Sequence, residues 1–208
     1  MINKIFVYFW LTGLFISPVF GQEFGSAVIT SVPDSADVYI DGYYFGKTPF
    51  CPVKVVPGTY ELKLKHQGYD SLLTEMTIEN GKRLVGKIAL KAKNDSLNTD
   101  PIVEESRDIP RRNEFVEFKV PPEIKDKQNA YYPSLAKANG VEGKVYLQLL
   151  IDIDGSITDG VVAKSSGAFC LDYEAMKSGY SLKYSSAIGK DNKPTRVWVM
   201  WPITFKLR

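Results

Sequence analysis

Two segments of this chain alternate apolar and polar residues, and the segment between them does not. In residues 59–66 the side chains of Tyr60, Leu62 and Leu64 share one face of an extended chain, and residues 145–153 alternate in the same way. Alternation with a period of two is the pattern of a half-buried β-strand. The sequence therefore predicts that each segment belongs to a separate β-rich domain.

The loss of alternation between these segments sets the expected domain boundaries. We expect an all-β domain at residues 26–91, a linker at residues 92–130 and a second domain at residues 131–208. In the linker Asp, Glu, Lys, Asn and Ser dominate and prolines recur, which favours an extended tether. Residues 115–122 alternate again and could dock as a strand onto either neighbour.

The composition excludes several classes of protein. Of 208 residues 44% are hydrophobic and 24% are charged, and 26 basic residues against 24 acidic ones give a net charge of +2. This profile is globular, and its near-neutral balance argues against a nucleic-acid-binding protein. With one histidine and two cysteines, a structural zinc site is excluded, which leaves a binding or structural protein, or an enzyme that works with carboxylates, Ser or Lys. Because the candidate catalytic groups have structural explanations, given below, we expect no metal site, no cofactor and no enzyme. The alternation places the single histidine, His66, at the end of a strand.

Residues 1–21 have the pattern of a secretory signal peptide. Lys4 precedes an uncharged apolar run at residues 5–20, Pro18 breaks this run near its end, and Gly21 offers a small residue for cleavage. The run is shorter than the roughly 20 residues that span a bilayer. We predict cleavage after Gly21, with an uncleaved inner-membrane anchor as the alternative. In either case the rest of the chain lies in the periplasm or cell envelope.

The first domain carries regularly spaced turn signals and a series of short motifs. Turn pairs such as Asp41-Gly42 and Asn80-Gly81 bracket strand-like runs, and six short strands in this length predict a β-sandwich or barrel. The motifs are Ser31-Val32-Pro33, Ala36-Asp37-Val38-Tyr39-Ile40-Asp41-Gly42, Gly46-Lys47-Thr48-Pro49, Val56-Pro57-Gly58-Thr59-Tyr60 and Gly68-Tyr69. In combination they resemble the PEGA domain, a family typical of extracytoplasmic bacterial proteins that lacks a well-defined catalytic activity.

Aromatic residues cluster around the first predicted hairpin of this domain. They are Tyr39, Tyr43, Tyr44 and Phe45. The cluster favours packing of the hairpin itself, and a surface patch for a glycan or a protein is the alternative.

The second domain mixes helices with alternating strands. Pro133 suits the first turn of a short helix, Asp154-Gly155 turns a hairpin, and the acidic residues within 171–176 suit the start of a second helix. The last strand, at residues 196–207, alternates as well. The predicted order is helix, hairpin, helix and strand, which makes an α+β fold with an antiparallel sheet.

The motifs of the second domain resemble the C-terminal domain of TonB-family energy transducers over residues 131–208. They are Tyr132-Pro133 with Ala136, Gly140-Val141-Glu142-Gly143-Lys144-Val145, Ile151 with Asp154-Gly155-Ser156-Ile157, Ser165-Ser166-Gly167, Leu171-Asp172 with Glu174-Ala175, Lys193-Pro194-Thr195-Arg196-Val197-Trp198-Val199, and Pro202-Ile203 with Phe205 and Leu207. The family usually has Trp or Phe and then Pro-Ala or Pro-Gly where this chain has Tyr184-Ser185-Ser186-Ala187.

The resemblance implies a mode of partner binding. Domains of this family add an extended peptide, the TonB box of an outer-membrane transporter, as a strand at a sheet edge, which is β-augmentation. Pro202 lacks an N–H group and is expected to limit this pairing or to mark a bulge. Trp198 lies on the face opposite Val197 and could contact a partner. The partner-binding residues predicted here are Thr195, Arg196, Val197, Trp198, Val199 and Met200.

The resemblance implies a cell-envelope TonB-like protein that supports energy-dependent transport across the outer membrane. Two features usual in such transducers are missing: the N-terminal segment has no histidine for the Ser-x-x-x-His pattern that contacts the proton-driven motor, and a long Pro-rich spacer is replaced by the first domain and a modest linker. A periplasmic structural adaptor without energy coupling is therefore the alternative. Contact with inner-membrane motor proteins or with other envelope proteins, and homodimerisation, stay open.

Other candidate sites have structural explanations. Asp152 and Asp154 flank a turn, which suits a hairpin better than a Ca²⁺ site or an acid–base pair. Ser165 has no histidine in its own domain, which argues against a catalytic triad. A disulfide between Cys51 and Cys170 could form in an exported chain, and buried free thiols are the alternative.

Overall fold

The computed structural model covers most of both domains. It describes residues 21–93, 109–112, 114, 116–127 and 129–207. The predicted export signal lies outside the described residues, apart from Gly21. Within the described part of the chain, no helix combines the length and the apolar character that crossing a membrane requires.

The N-terminal domain is built of strands around an alternating core. Its strands are β1 (Ser26–Val32), β2 (Asp37–Ile40), β3 (Tyr43–Lys47), β4 (Gly58–Lys65), β5 (Leu72–Ile78) and β6 (Arg83–Ala89). An antiparallel sheet has the order β3-β2-β4-β5, and β1 pairs with β6 in parallel. The apolar face predicted from the alternation is the buried one, since Leu62 and Leu64 of β4 are buried.

The C-terminal domain combines helices with an antiparallel sheet. From the linker onward the elements are β7 (Phe118–Val120), β8 (Ile124–Asp126), α1 (Ser134–Ala138), β9 (Gly143–Ile151), β10 (Ile157–Lys164), α2 (Phe169–Ser181), β11 (Lys183–Tyr184), β12 (Ala187–Gly189), β13 (Pro194–Thr195) and β14 (Val197–Phe205). The main sheet has the order β10-β9-β14. Leu171 and Met176 of α2 share a core with Leu147 and Leu149 of β9, so α2 covers one face of this sheet.

Part of the predicted linker is built into the C-terminal domain. β7 pairs with β12, and β8 pairs with β11. Residues 115–122 alternate apolar and polar side chains, and this pattern favours the pairing of β7 with β12. The chain in this part is therefore not a free tether.

Residues 109–112 cross the face of the C-terminal sheet that lies opposite α2. The indole N–H of Trp198 donates to the carbonyl of Pro110 at 2.7 Å, and the side-chain amide of Gln148 donates to the carbonyl of Arg112 at 2.6 Å. The guanidinium of Arg112 lies 5.9 Å from the ring of Trp198 and 5.5 Å from the ring of Tyr44 in the N-terminal domain. This segment therefore contacts both domains.

Aromatic side chains of α2 dock the two domains together. Phe169 is 6% exposed and belongs to the core of the N-terminal domain. Its ring lies 4.9 Å from Phe45 and 6.1 Å from Phe50. One turn later the hydroxyl of Tyr173 donates to Asp41 Oδ2 at 2.6 Å. The hairpin aromatics thus pack across the domain boundary, which the sequence patterns did not predict.

The N-terminal domain also supplies hydrogen-bond partners to the start of α2. The residue before this helix, Ala168, has no side chain that can cap it. The N–H groups of Phe169 and Cys170 instead donate to the carbonyls of Val53 and Lys54 at 3.0 and 3.3 Å. The first N–H groups of any helix lack intrahelical partners, and leaving them buried and unpaired is costly. Docking therefore stabilises the helix as well as the interface.

Candidate peptide-binding edge

β14 is the open edge of the main C-terminal sheet. It pairs with β9 from Val197 opposite Ile151 to Phe205 opposite Gly143, without a register shift. Among the described residues it has no second strand beside it. The strand at the other edge, β10, contacts β3 of the N-terminal domain. β14 is thus the edge of this sheet that another strand could join.

The two faces of β14 have opposite environments, as the alternation predicted. Val197 and Phe205 are 3% and 4% exposed, whereas Met200 on the other face is 55% exposed. The residues that lie in or against the core are Val197, Val199, Trp201, Ile203 and Phe205. Burial of one face holds the register on β9, because a slip by one residue would expose the whole apolar set.

Pro202 indicates which backbone groups of β14 face the open edge. A proline has no N–H group for a ladder, and an edge strand tolerates it where its nitrogen points away from the paired neighbour. The pairing with β9 is unbroken, and backbone groups point alternately to the two sides of an antiparallel strand. Trp198 and Met200 therefore share the orientation of Pro202, and their N–H and C=O groups point outward.

The structure divides the six predicted binding residues among three positions. Thr195 lies in β13, opposite Ala187 of β12. Arg196 lies between the two strands, where its Nε donates to Asp152 Oδ1 at 2.8 Å. The other four residues, 197–200, lie in β14. The last strand therefore starts one residue later than predicted, because Thr195 is held by the β12–β13 pair and Arg196 by its ion pair.

The side chain of Trp198 has a different role from the predicted one. Its indole N–H is bonded to the linker carbonyl of Pro110, and the Arg112 guanidinium lies over its ring. Its ring therefore holds the linker against the sheet instead of facing a partner. Only its backbone is placed to meet an added strand.

A groove of about 340 Å³ runs beside the C-terminal half of β14. Trp201, Pro202 and Ile203 line it from the strand, and Lys127 and Tyr132 line it from the segment before α1. The ammonium group of Lys127 lies 5.2 Å from the ring of Trp201. The groove combines aromatic walls with a basic rim, so it can take apolar or acidic side chains of a strand on the edge.

The candidate catalytic groups are engaged in structural hydrogen bonds. The Asp172 carboxylate accepts from the hydroxyl groups of Ser165 and Ser166 and from the N–H of Ser166. Asp154 Oδ1 accepts from the N–H and the hydroxyl of Ser156, and these bonds hold the pKa of Asp154 below its usual value. Within the described residues, no group of three His, Cys, Asp or Glu side chains is placed to hold a metal ion.

The histidine and the cysteines stand apart from one another. His66 follows β4, and its Nδ1 lies 2.9 Å from the carbonyl oxygen of Gln67. Cys51 is exposed and Cys170 is buried, and both are free thiols. Burial raises the pKa of Cys170 to about 11. Both cysteines are therefore free thiols, as the alternative to a disulfide predicted, but only Cys170 is buried.

The fold defines a two-domain class of protein, in which an all-β domain is docked onto an α+β domain. Two family models match the chain: the PEGA domain at residues 24–94 and the Gram-negative bacterial TonB protein C-terminal domain at residues 128–207. The chain thus carries a PEGA domain followed by a TonB C-terminal domain, as its motifs predicted. Neither family is enzymatic. A search of the curated proteins gave no match.

Proposed function

We propose that this chain is a cell-envelope TonB-like protein that binds an extended segment of a partner along β14. The partner is an outer-membrane TonB-dependent transporter, and binding supports energy-dependent transport across the outer membrane. The observation that carries the proposal is the open edge of β14, in a domain that matches the TonB C-terminal family. We place the exported part of the chain in the periplasm or cell envelope.

The added strand pairs with a short stretch of β14. Trp198 and Met200 offer their outward N–H and C=O groups, and the missing N–H of Pro202 ends or bulges the pairing. Backbone bonds supply affinity at such an edge, and alternate side chains of the partner supply specificity. Beyond Pro202, side chains of the partner enter the groove beside Trp201 and Tyr132.

The docked PEGA domain gives the edge a rigid support. A pull on the captured strand passes through β14 and β9 to α2, which shares their core. From α2 it passes to the PEGA domain through Phe169 and through the hydrogen bond from Tyr173 to Asp41. The load then reaches the rest of the chain without separating the two domains.

A second candidate function is that of a periplasmic adaptor without energy coupling. The observation that favours it is the pairing of β7 and β8 with the C-terminal domain, because a chain held in this way cannot serve there as a long spacer. The N-terminal residue of the mature protein distinguishes the two candidates. A retained N-terminal segment in the inner membrane favours transport coupling, and a cleaved periplasmic form favours the adaptor.

Substitution of Met200 tests the binding edge. Met200→Pro removes one outward N–H group and leaves the ladder to β9 intact, because that N–H does not face β9. We expect it to abolish the binding of peptides that span the TonB boxes of outer-membrane transporters, as measured by isothermal titration calorimetry. The matched control, Met200→Ala, removes the exposed side chain and keeps the N–H, so it should bind nearly as the unmodified chain does.

Circular dichroism must show that both variants are folded. Equal peptide affinity of a folded Met200→Pro variant and the unmodified chain would show that β14 is not the capture edge. Binding that is lost equally in both variants would assign recognition to the side chain instead of the backbone.

A further inference from the structure

The boundary between the two domains opens into a cleft of about 540 Å³. β2 and β3 of the PEGA domain form one wall, β10 and α2 of the TonB domain form the other, and Arg112 of the linker lies at its edge. It lies on a different side of the C-terminal sheet from β14, because β10 is the strand that meets the PEGA domain. Its volume is in the range of small-molecule sites, which often lie at domain interfaces.

Three tyrosines line this cleft. Tyr39 and Tyr44 are cross-strand partners on β2 and β3, with ring centroids 5.4 Å apart and planes at 59°. The neighbours of Tyr39 along β2, Val38 and Ile40, are the residues that fill the core. The tyrosine pair is therefore not needed for the core of its own domain. Tyr180 of α2 supplies the third ring.

The charged groups that line the cleft balance one another. Lys47 donates to Asp37 Oδ1 at 2.8 Å, and the other charged lining residues are Arg112 and Asp159. A strongly anionic ligand would meet both carboxylates, and a strongly cationic one would meet both cations, so each would encounter repulsion. The lining therefore favours a ligand without net charge.

Cations of the protein already lie over the half-buried tyrosine pair. The ammonium group of Lys65 is 5.0 Å from the Tyr39 ring, and the guanidinium of Arg112 is 5.5 Å from the Tyr44 ring. A ligand cation placed beside these rings would be repelled by Lys65 and Arg112, whereas a neutral ligand would not. This observation argues against a cage for quaternary ammonium groups and again favours a neutral ligand.

We propose that this cleft binds a short neutral oligosaccharide. A sugar presents apolar C–H faces that pack against tyrosine rings, and its hydroxyl groups both donate and accept hydrogen bonds. Asp159 accepts from such hydroxyl groups, and Arg112 and the tyrosine hydroxyl groups donate to them. Of the four aromatic residues around the first hairpin, Tyr39 and Tyr44 would contact the sugar. The other two, Tyr43 and Phe45, pack against α2.

Calorimetric titration of the full chain with chitotetraose, cellotetraose and maltotetraose tests the proposal. We expect at least one of these sugars to bind, and Tyr44→Ala to weaken that binding about tenfold or more. Asp159→Asn keeps the shape of the wall and removes a charged acceptor, so it should weaken binding even if Tyr44→Ala disturbs the fold. Tyr69→Ala is the matched control, because Tyr69 lies in the same domain beside His66 and outside the cleft.

Met200→Pro should bind the same sugar normally, which separates this site from the peptide-binding edge. The proposal is overturned if none of the three sugars binds at millimolar concentration. It is also overturned if a sugar binds equally well to the unmodified chain, to Tyr44→Ala and to Asp159→Asn. Loss of binding in Tyr69→Ala alone would place a sugar site elsewhere on the PEGA domain and would equally contradict it.

Discussion

Phe169→Ala should separate the two domains without unfolding either of them. Phe169 begins α2 of the TonB domain, yet its side chain is buried in the core of the PEGA domain. The substitution removes the ring that contacts Phe45, Phe50 and Tyr60, with centroid distances of 4.9, 6.1 and 6.4 Å. These contacts all cross the domain boundary, so their loss weakens docking in particular.

The size of the effect follows from the burial of this ring. Truncation of a buried Phe to Ala costs about 3–5 kcal/mol in protein cores. Since each 1.4 kcal/mol is about a factor of ten in an equilibrium constant, the docking equilibrium should weaken by roughly two to three and a half orders of magnitude. The hydrogen bonds from Tyr173 to Asp41 and from the first N–H groups of α2 to Val53 and Lys54 remain. Each exchanges with water on undocking and contributes only about 1 kcal/mol, so none of them alone replaces the lost apolar contact.

Scanning calorimetry and small-angle X-ray scattering measure this separation. The unmodified chain should unfold in one transition, whereas Phe169→Ala should show two transitions and a larger radius of gyration. Phe205→Ala is the matched control, because Phe205 is buried in the TonB core, where it packs on Tyr132. It should lower the melting temperature and leave the domains docked. One transition together with an unchanged radius of gyration in Phe169→Ala would refute the reasoning.

Three further predictions concern titration, thiol reactivity and a loop. Burial raises the pKa of Tyr60 and of Tyr180 to about 12 from 10.0. These phenols therefore stay protonated to a higher pH in the folded state than in the unfolded state. The melting temperature should fall as the pH rises from about 10 to about 12, and it should fall less steeply in Tyr60→Phe. Ellman's reagent should modify Cys51 quickly and Cys170 only on undocking or unfolding, because burial raises the pKa of Cys170 to about 11. Asp172→Ala should lower the free energy of unfolding by about 2 kcal/mol in urea titrations, because two serines lose a charged partner.

Each of these predictions has a contradicting result. If Tyr60→Phe and the unmodified chain have the same melting temperatures at alkaline pH, ionisation of this phenol does not cause the loss of stability. Equal rates for the two thiols in the folded protein would contradict the burial of Cys170. An unchanged urea midpoint in Asp172→Ala would show that the serine loop does not depend on this carboxylate.

Local alternation was enough to predict the cores of both domains. Leu62 and Leu64 are buried on the face that a period of two assigns to them, and so is Leu147. This works because neighbours along a strand point to opposite faces whatever the rest of the chain does. The edge position of the last strand came from the family resemblance alone, because an edge strand and a central strand with one buried face alternate in the same way.

The docking of the domains was not predictable from local patterns. Phe169 stands in the first turn of α2, and the pattern there gives no sign that its ring enters the other domain. The role of Trp198 was missed in the same way, because its partner, Pro110, lies in the segment expected to be a free linker. Such contacts join residues that are distant in sequence, and they depend on shapes that exist only after each domain has folded.

Amide hydrogen exchange by NMR, with and without a TonB-box peptide, tests the central claim most directly. The N–H groups of Trp198 and Met200 point to the open edge, so a captured strand should slow their exchange. The N–H groups of Val197 and Val199 are already bonded to β9, so their exchange should change little. This alternating protection along β14 is the predicted result. Protection that is absent from Trp198 and Met200, or that appears on β10 instead, would contradict strand capture at this edge.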